Sequence, residues 1–239
     1  MFVKFTPISR YSVSFGIKSC LPPMTELLFL HTAAVHVQTF DALLRELSPR
    51  TRARHLVRED LLEAARSQGA DAPPVKQAVL EAIQAMDPAR GCVVLCTCST
   101  IGGAAERAGV ESGVQVQRVD RAMAERAVAA GPNIVVAAVL ESTLDPTESL
   151  IRESASRSGM DCGLTRLLIG DAWPLFQRGE FDAYLQHIAG ALRTVGDCDV
   201  IVLAQASMAG AADLCADMDI LVLASPRPGL KAALAAMNE

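Results

Sequence analysis

The sequence predicts an α/β fold built from two pseudo-symmetric, doubly wound halves with parallel sheets and an active-site cleft between them. Short apolar runs alternate with helix-like segments along the chain, which is typical of parallel strands covered by helices on both faces. Eight such runs would also fit a barrel, but a barrel usually needs about 250 residues. About 216 residues follow the first 23 here, so we favour two paired halves.

The apolar runs indicate where the strands lie. They predict strands at 27–30, 55–57, 92–95, 114–119, 134–139, 164–169, 200–203 and 220–223. Helix starts are predicted from residues that cap or begin helices, namely Thr39, Pro74 and Asp120. The run 145–148 combines aspartate, proline and glutamate at the spacing of a capping box, and it predicts a helix to about residue 157.

Residues 1–23 differ in composition from the rest of the chain. They contain basic residues and no acidic one, so a transit peptide and an extension upstream of a domain start at Met24 are both open. We expect this segment to be disordered. The first half is expected to span 24–120 and the second half 121–225, and a C-terminal helix at 226–237 could pack back on the first half.

Composition and charge exclude several classes of protein. A net charge of −5 provides no basic field for nucleic acid, and the sequence has no run of about 20 apolar residues for a membrane helix. Seven scattered cysteines, an odd number, favour a reducing compartment, so we predict a cytoplasmic location. Cysteine and histidine pairs at metal-ligand spacing and glycine-rich nucleotide motifs are absent from the sequence, so we expect neither a metal nor a cofactor.

Small and polar residues follow several predicted strands. The carboxyl ends of parallel strands meet at one edge of a sheet, where ligands bind in such folds. Each of these segments precedes a helix, whose free N–H groups can hold a carboxylate. The candidate substrate-binding residues are His31, Thr32, Ser99, Thr100, Ser142, Thr143, Gln205, Ala206 and Ser207.

Each of these candidates has a structural alternative. The hydroxyl residues could simply cap helices, and His31 could be a buried, hydrogen-bonded histidine rather than a base or a substrate ligand. The other histidines are expected to be structural or on the surface; they are His36, His55 and His187. Trp173 and Phe176 are expected to be core anchors or part of an interface.

Cys98 is the candidate catalytic residue. It follows a predicted strand, precedes a Gly-Gly pair that lets a backbone approach closely, and stands where a helix begins. The free N–H groups of a helix N-terminus favour the thiolate form of a cysteine, which can act as a base or a nucleophile. The alternative is an inert buried cysteine.

Three segments resemble those of a known superfamily. Residues 94–100, Val-Leu-Cys-Thr-Cys-Ser-Thr, resemble the Cys-Asn-Thr segment of the aspartate/glutamate/hydantoin racemase superfamily. The strand at 134–139 with the Glu-Ser-Thr that follows resembles the threonine-containing segment of its second half. Residues 199–208 resemble its Gly-Cys-Thr or Gly-Cys-Ala segment. The likeness runs from about residue 24 to about residue 230.

The resemblance implies a cofactor-independent racemase or isomerase that acts at the α-carbon of a small carboxylate. In this superfamily two cysteines, one from each half, face that carbon; one thiolate removes a proton and the other thiol returns one. Cys98 matches the first cysteine, whereas the second should fall at Gln205 or Ala206, which do not ionise. A single-thiol decarboxylase, a cis–trans isomerase and a catalytically silent carboxylate-binding protein are therefore alternatives.

In a one-sided mechanism, Gln205 and Ser207 would donate hydrogen bonds to a substrate carboxylate or a developing enediolate. The expected partner is thus a small carboxylate rather than nucleic acid or a membrane, and formation of a homodimer is left open.

Overall fold

The first half of the fold is a parallel sheet of four strands in the part of the chain that the structure describes. The structure is a computed structural model that describes residues 26–88 and 91–237. Its first sheet has the order β2-β1-β3-β4, and every neighbouring pair is parallel. The strands are β1 (Glu26–His31), β2 (Arg52–Val57), β3 (Val93–Cys96) and β4 (Gln115–Arg118).

The second half repeats this arrangement. Its described strands form a parallel sheet of order β6-β5-β7-β8, in which β5 and β7 occupy the central positions that β1 and β3 occupy in the first sheet. The strands are β5 (Asn133–Ala138), β6 (Gly163–Leu168), β7 (Val200–Leu203) and β8 (Leu221–Ala224). Two four-stranded sheets confirm the predicted pair of α/β halves and exclude a barrel.

Helices cover both sheets. Those of the first half are α1 (Val35–Leu47), α2 (Glu59–Gln68), α3 (Pro73–Ala85) and α4 (Ser99–Ser112). The remaining helices are α5 (Arg121–Ala130), α6 (Leu144–Arg157), α7 (Trp173–Gln177), α8 (Phe181–Leu192), α9 (Gly210–Leu214) and α10 (Pro226–Ala236). Within the described residues, none of these helices is long and apolar enough to cross a bilayer. The predicted extension at 1–23 and the start at Met24 lie outside the described residues.

Each predicted strand overlaps an observed one. The central strands β1, β3, β5 and β7 are apolar because both of their faces are covered, whereas the edge strands β2, β4, β6 and β8 are only partly buried. The helix starts are less well predicted. Helix α1 begins at Val35 rather than at Thr39, whose hydroxyl instead donates to the Val35 carbonyl inside the helix. Helix α6 begins at Leu144, before the predicted cap at Asp145, and its N-terminus has no side-chain cap.

The predicted capping acids are engaged by arginine side chains instead of helix N–H groups. Asp145 and Glu148 both accept hydrogen bonds from Arg166 on β6. Asp120 does stand at the start of α5, but its carboxylate binds Arg118 instead of the helix N–H groups. Capping motifs therefore marked helix beginnings only approximately, because ion pairs with other elements took up the acidic side chains.

Helix α10 packs against the sheet of the first half, although it follows the last strand of the second. Its buried residues Leu230 and Ala233 join a core cluster with Leu27, Phe29 and Leu95 of that sheet. The approach is close at Gly229, where an added Cβ would lie 2.1 Å from the carbonyl oxygen of Val119. The missing side chain lets the helix pass directly over the backbone.

Gly229→Ala is therefore expected to destabilise the protein by about 1–3 kcal/mol, because the helix or the backbone at Val119 must shift. Gly190→Ala is the matched control: Gly190 is an exposed glycine within α8, and beyond its own stretch of helix no atom of the described residues lies within 4 Å of its added Cβ. That change should leave stability unchanged or raise it by about 0.4–1 kcal/mol. Urea unfolding of both variants measures the difference, and equal midpoints would contradict the close-approach explanation.

Candidate active site

A small cavity lies between the two halves at the carboxyl ends of the central strands. Its volume is about 50 Å³, enough for roughly three or four waters or the carboxylate end of a small acid. The first half contributes Thr32, Ala33, His36, Leu62, Thr97, Cys98, Ser99 and Thr100. The second half contributes Leu140, Thr143, Trp173, Phe176, Gln205, Ala206 and Ser207.

Cys98 lies in this cavity at the junction between β3 and α4. It occupies the position immediately before the first residue of α4, with extended backbone, and is 9% exposed. The first turn of α4 follows with its unpaired N–H groups. Among the thiols of the described residues, Cys98 alone lines the cavity, whereas Cys96 is fully buried in β3, where burial raises the pKa of its thiol.

Two hydroxyl groups next to Cys98 lack partners within the described structure. The Oγ of Ser99 and the Oγ1 of Thr100 are both buried and make no hydrogen bond there. A buried hydroxyl without a hydrogen-bond partner lowers the stability of the folded state by about 1–3 kcal/mol. A ligand carboxylate in the cavity would satisfy them, and they stand beside the helix N-terminus that favours an anion.

The Gly-Gly pair after Cys98 makes room for a side chain. A Cβ at Gly102 would lie 2.8 Å from Nε of Arg118. Arg118 is buried under α4, where it forms two hydrogen bonds with Asp120 at 2.6 and 2.9 Å and donates to the Ser99 carbonyl at 3.2 Å. Burial opposes the charge of Arg118, but the Asp120 carboxylate holds its pKa above the usual range. The pair anchors the helix that carries Cys98.

Gln205 stands in the second half at the end of β7, the position that the resemblance assigns to a second cysteine. Its Oε1 accepts hydrogen bonds from the backbone N–H groups of Val139 and Leu140 at 2.8 and 3.0 Å. These donors identify the oxygen end of the amide, so its NH₂ end is the group that can donate to a ligand. Gln205 is thus an oriented hydrogen-bond donor.

Ser207 and the aromatic side chains complete the wall of the second half. Ser207 Oγ lies 2.9 Å from the hydroxyl of Tyr184, which is buried, and burial raises the Tyr184 pKa to about 12. Trp173 and Phe176 stack with their ring centroids 4.9 Å apart. The expectation of a core or interface role for these two rings is incomplete, because both also line the cavity.

The structure places two predicted substrate ligands outside the cavity. His31 is fully buried and is held by Thr97 and His55, and desolvation lowers its pKa to about 3. It is therefore the hydrogen-bonded core histidine of the alternative interpretation. Ser142 lines a separate groove of about 650 Å³, whose walls include residues of α4 and α6.

The other predicted ligands line the cavity together with Cys98; they are Thr32, Ser99, Thr100, Thr143, Gln205, Ala206 and Ser207. Thr143 donates its hydroxyl proton to the carbonyl of Leu140 and so supports the turn rather than offering a donor. Thr100 lines both the cavity and the neighbouring groove.

His36 was missed by the sequence analysis. It was expected to be structural, but it lies in the first turn of α1 and lines the cavity with Cys98. Burial lowers its pKa to about 4, so the ring is uncharged at neutral pH. A correct prediction of the start of α1 would have indicated this role, because a helix that begins at Val35 brings residue 36 to the carboxyl end of β1.

The site offers acid–base chemistry but no metal centre in the described residues. No group of three or more histidine, cysteine or acidic side chains lies close enough together there to hold a metal ion. The thiol of Cys98 and the imidazole of His36, the acid–base side chains that line the cavity, both belong to the first half. Oriented donors, hydroxyls and aromatic rings face them from the second half.

Comparisons with known proteins identify the fold. No family model and no curated protein sequence matches the chain. Among solved structures, aspartate racemase from Picrophilus torridus is similar over 90% of this chain and 94% of its own, with a TM-score of 0.67 and 10% identity. Allantoin racemase from Pseudomonas fluorescens is similar over 90% of this chain and 91% of its own, with a TM-score of 0.58 and 18% identity.

A variant of arylmalonate decarboxylase is also similar, over 90% of this chain and 93% of its own, with a TM-score of 0.55 and 15% identity. Racemases and a decarboxylase thus share one arrangement of paired halves with this chain. The resemblance noted in the sequence is confirmed at the level of architecture: the chain has the fold of the aspartate/glutamate/hydantoin racemase superfamily.

Proposed function

We propose that the protein is a cofactor-independent enzyme of the racemase and isomerase type, which moves a proton at the α-carbon of a small carboxylate through the Cys98 thiolate. The observation that carries the proposal is the position of Cys98. It lies in the cavity between the halves, at the start of a helix and beside two buried hydroxyls that have no partner among the described residues. These features suit a thiolate next to a bound anion.

The proposed step is a proton transfer between carbon and sulfur. The substrate carboxylate would take hydrogen bonds from Ser99, Thr100 and the N–H groups of α4. The thiolate then removes the α-proton, so that the C–H bond breaks, an S–H bond forms, and the electron pair moves into the carboxylate as an enediolate. Gln205 and Ser207 would donate hydrogen bonds to the developing oxyanion.

The stacked aromatic pair supports an apolar substituent on the substrate. Trp173 and Phe176 contribute a wall without charge on the side of the second half. A second carboxylate placed against the faces of these rings would lose hydration without gaining a partner. We therefore propose an acid whose α-substituent is apolar.

A second candidate is a single-thiol decarboxylase or cis–trans isomerase. Gln205 favours it, because a two-base racemase needs a proton donor on each face of the α-carbon and the second-half residues of the cavity do not ionise near neutral pH. In the decarboxylase, loss of carbon dioxide leaves the electron pair on the α-carbon, and Cys98 then supplies a proton to that carbon.

Incubation of candidate acids in deuterated water tests both functions. Turnover by proton transfer is expected to place deuterium at the α-carbon without loss of substrate, whereas decarboxylation releases carbon dioxide and places one deuterium in the product. Proton NMR follows the exchange of the α-proton for deuterium, and chiral chromatography shows whether the acid is racemised.

Two variants sharpen the experiment. Gln205→Cys should create or increase racemisation if the missing second thiol limits the reaction to one face, while Gln205→Glu is the matched control that adds an acid without a thiol. If acids with apolar substituents bind in thermal-shift assays but neither exchange nor release carbon dioxide, the protein is a binding protein and the proposed catalysis is wrong.

We also propose a cytoplasmic location. The six cysteines among the described residues are free thiols, which fits a reducing compartment.

A further inference from the structure

The groove of about 650 Å³ lies next to the cavity, and residues of both halves line it. Helix α4 supplies one of its walls and the start of α6 another, and Thr100 lines both the groove and the cavity. A space of this size can hold a whole small molecule. Cys98 does not line the groove, so a ligand there would be separate from an acid bound at the thiol.

Two guanidinium groups converge at Gly103 in the wall of the groove. A Cβ added at Gly103 would lie 3.6 Å from Nη1 of Arg107 and 3.6 Å from Nη1 of Arg118. Both arginines line the groove, and the glycine leaves open the space next to the two nitrogens that a side chain would fill. Because two cations repel each other at short range, an anion in this space would stabilise their arrangement.

The Nη1 atoms of these two arginines are unused donors. Arg107 donates to Asp71 through Nη2. Arg118 uses Nε and Nη2 for Asp120 and for two backbone carbonyls. Within the part of the chain that the structure describes, neither Nη1 has a hydrogen-bond partner. The side chain of Arg118 is only 5% exposed, so a nearly buried cation keeps an unpaired donor in the wall of the groove.

The carboxylates around the groove are bound by other nitrogens. Glu106 accepts from Arg121 with both of its oxygens, at 2.7 and 2.6 Å, and Glu153 accepts from the same guanidinium at 3.0 Å. The remaining acids that line the groove also pair with arginines; they are Asp71 and Asp145. Because these pairs neutralise one another, the attraction for an anion is local to the two Nη1 donors.

We propose that the groove is a second binding site, which takes a phosphate-bearing small molecule and holds its phosphate group at Gly103 through Nη1 of Arg107 and Nη1 of Arg118. A phosphate monoester carries a charge of about −1.5 to −2 at pH 7 and has three acceptor oxygens. It can therefore accept a charge-assisted hydrogen bond from each guanidinium at once. A carboxylate carries one charge and suits a single guanidinium better.

This site goes beyond the proposed function and does not depend on it, because none of its contacts involves Cys98 or a reacting carbon. It is nevertheless connected to the helix that carries the thiol. Nη2 of Arg118 donates to the carbonyl of Ser99 at 3.2 Å, and Ser99 is the first residue of α4. A bound phosphate would thus contact the arginine that holds the first turn of this helix.

Titration of nitrogen-15-labelled protein with inorganic phosphate, followed by NMR at constant ionic strength, tests the site without any substrate. Two charge-assisted hydrogen bonds predict a Kd of about 1 mM. We expect saturable shifts of the backbone amides of Gly103 and Arg107, and smaller shifts at Gln205 in the cavity. Sodium chloride at the same ionic strength should not reproduce them, and acetate should bind about tenfold more weakly than phosphate.

Gly103→Ala is the sharpest variant, because its methyl group would fill the space beside both nitrogens at an ordinary contact distance and displace neither. It should weaken phosphate binding about tenfold or more. The variant should still fold, since alanine favours a helix more than glycine does. Gly190→Ala, the exposed glycine within α8, is the matched control and should bind phosphate as the wild type does.

Arg107→Gln removes one of the two guanidinium groups and should also weaken binding about tenfold. Arg178→Gln is its matched control: both arginine side chains are 54% exposed and paired with an acid, but Arg178 does not line the groove. Three results would overturn the site: no saturation at about 10 mM phosphate, well above the expected Kd; equal affinities of the Gly103→Ala variant and the wild type; or equal affinities for acetate and phosphate. Each would do so whether or not the protein turns over a carboxylate.

Discussion

Replacing Cys98 with alanine is expected to lower turnover of the substrate by about 10²–10⁴-fold, the usual contribution of a positioned acid–base group. The effect should fall on kcat, because Ser99, Thr100 and the N–H groups of α4 would still bind the carboxylate. Steady-state kinetics measures both constants. Binding of the acid, followed by thermal shift, should survive in this variant.

Cys92→Ala is the control for this prediction. Cys92 is a half-buried free thiol just before β3, outside the cavity, and its removal should leave turnover within about twofold, since surface-proximal changes away from a site rarely disturb it. Native Cys98 should also react with iodoacetamide faster than Cys92. An active Cys98→Ala variant, or alkylation of Cys98 no faster than that of Cys92, would refute a catalytic role for this thiol.

Loss of the buried Arg118–Asp120 pair is expected to have the largest effect on stability. The exposure of the Asp120 side chain is 0%, so Arg118→Met leaves an unpaired buried carboxylate and should destabilise the protein by about 3–5 kcal/mol. The change also removes the hydrogen bonds to the carbonyls of Ser99 and Pro146, which connect α4 to α6 across the two halves.

The double variant Arg118→Met with Asp120→Asn separates charge from packing. Because it removes both charges, we expect it to be more stable than Arg118→Met alone in urea unfolding. Arg166→Met is the surface control. Asp145 is well exposed, and Glu148, although mostly buried, keeps Arg152 within 3.8 Å, so a much smaller loss is expected. Equal losses for Arg118→Met and the double variant would show that the lost contacts, rather than the stranded charge, dominate.

The strands illustrate what sequence patterns predict well. Runs such as 134–139 and 200–203 are apolar throughout because both faces of a central parallel strand are covered. Burial thus acts on every residue of the run, and the alternation of such runs with helices was enough to predict two paired α/β halves. The same pattern predicts that Cys98 lies at the carboxyl end of β3, because it is the second residue after that strand.

The beginnings of helices and the roles of the histidines show what the sequence patterns did not predict. Asp120 and Asp145 have the residue type of helix caps, yet arginines on other elements bind their carboxylates. A charge-assisted pair is stronger than a cap to a neutral N–H group. Arg118 lies only two residues from Asp120, whereas no local pattern shows that Arg166, 21 residues away, binds Asp145. Of the two interpretations left open for His31, the buried one agrees with its contacts to Thr97 and His55, whereas His36, expected to be structural or on the surface, lines the cavity.

By itself, the sequence determined the fold class, the strand positions and the thiol at the helix start, because each depends on burial and spacing within a short segment. The tertiary structure decided which side chains face that thiol. It buried His31 between Thr97, 66 residues away, and His55, 24 residues away, brought His36 to the cavity, and oriented Gln205 through N–H groups 65 and 66 residues away. Such contacts form only when segments that are distant in sequence come together in the folded sheets and turns, so they cannot be predicted from a local sequence pattern.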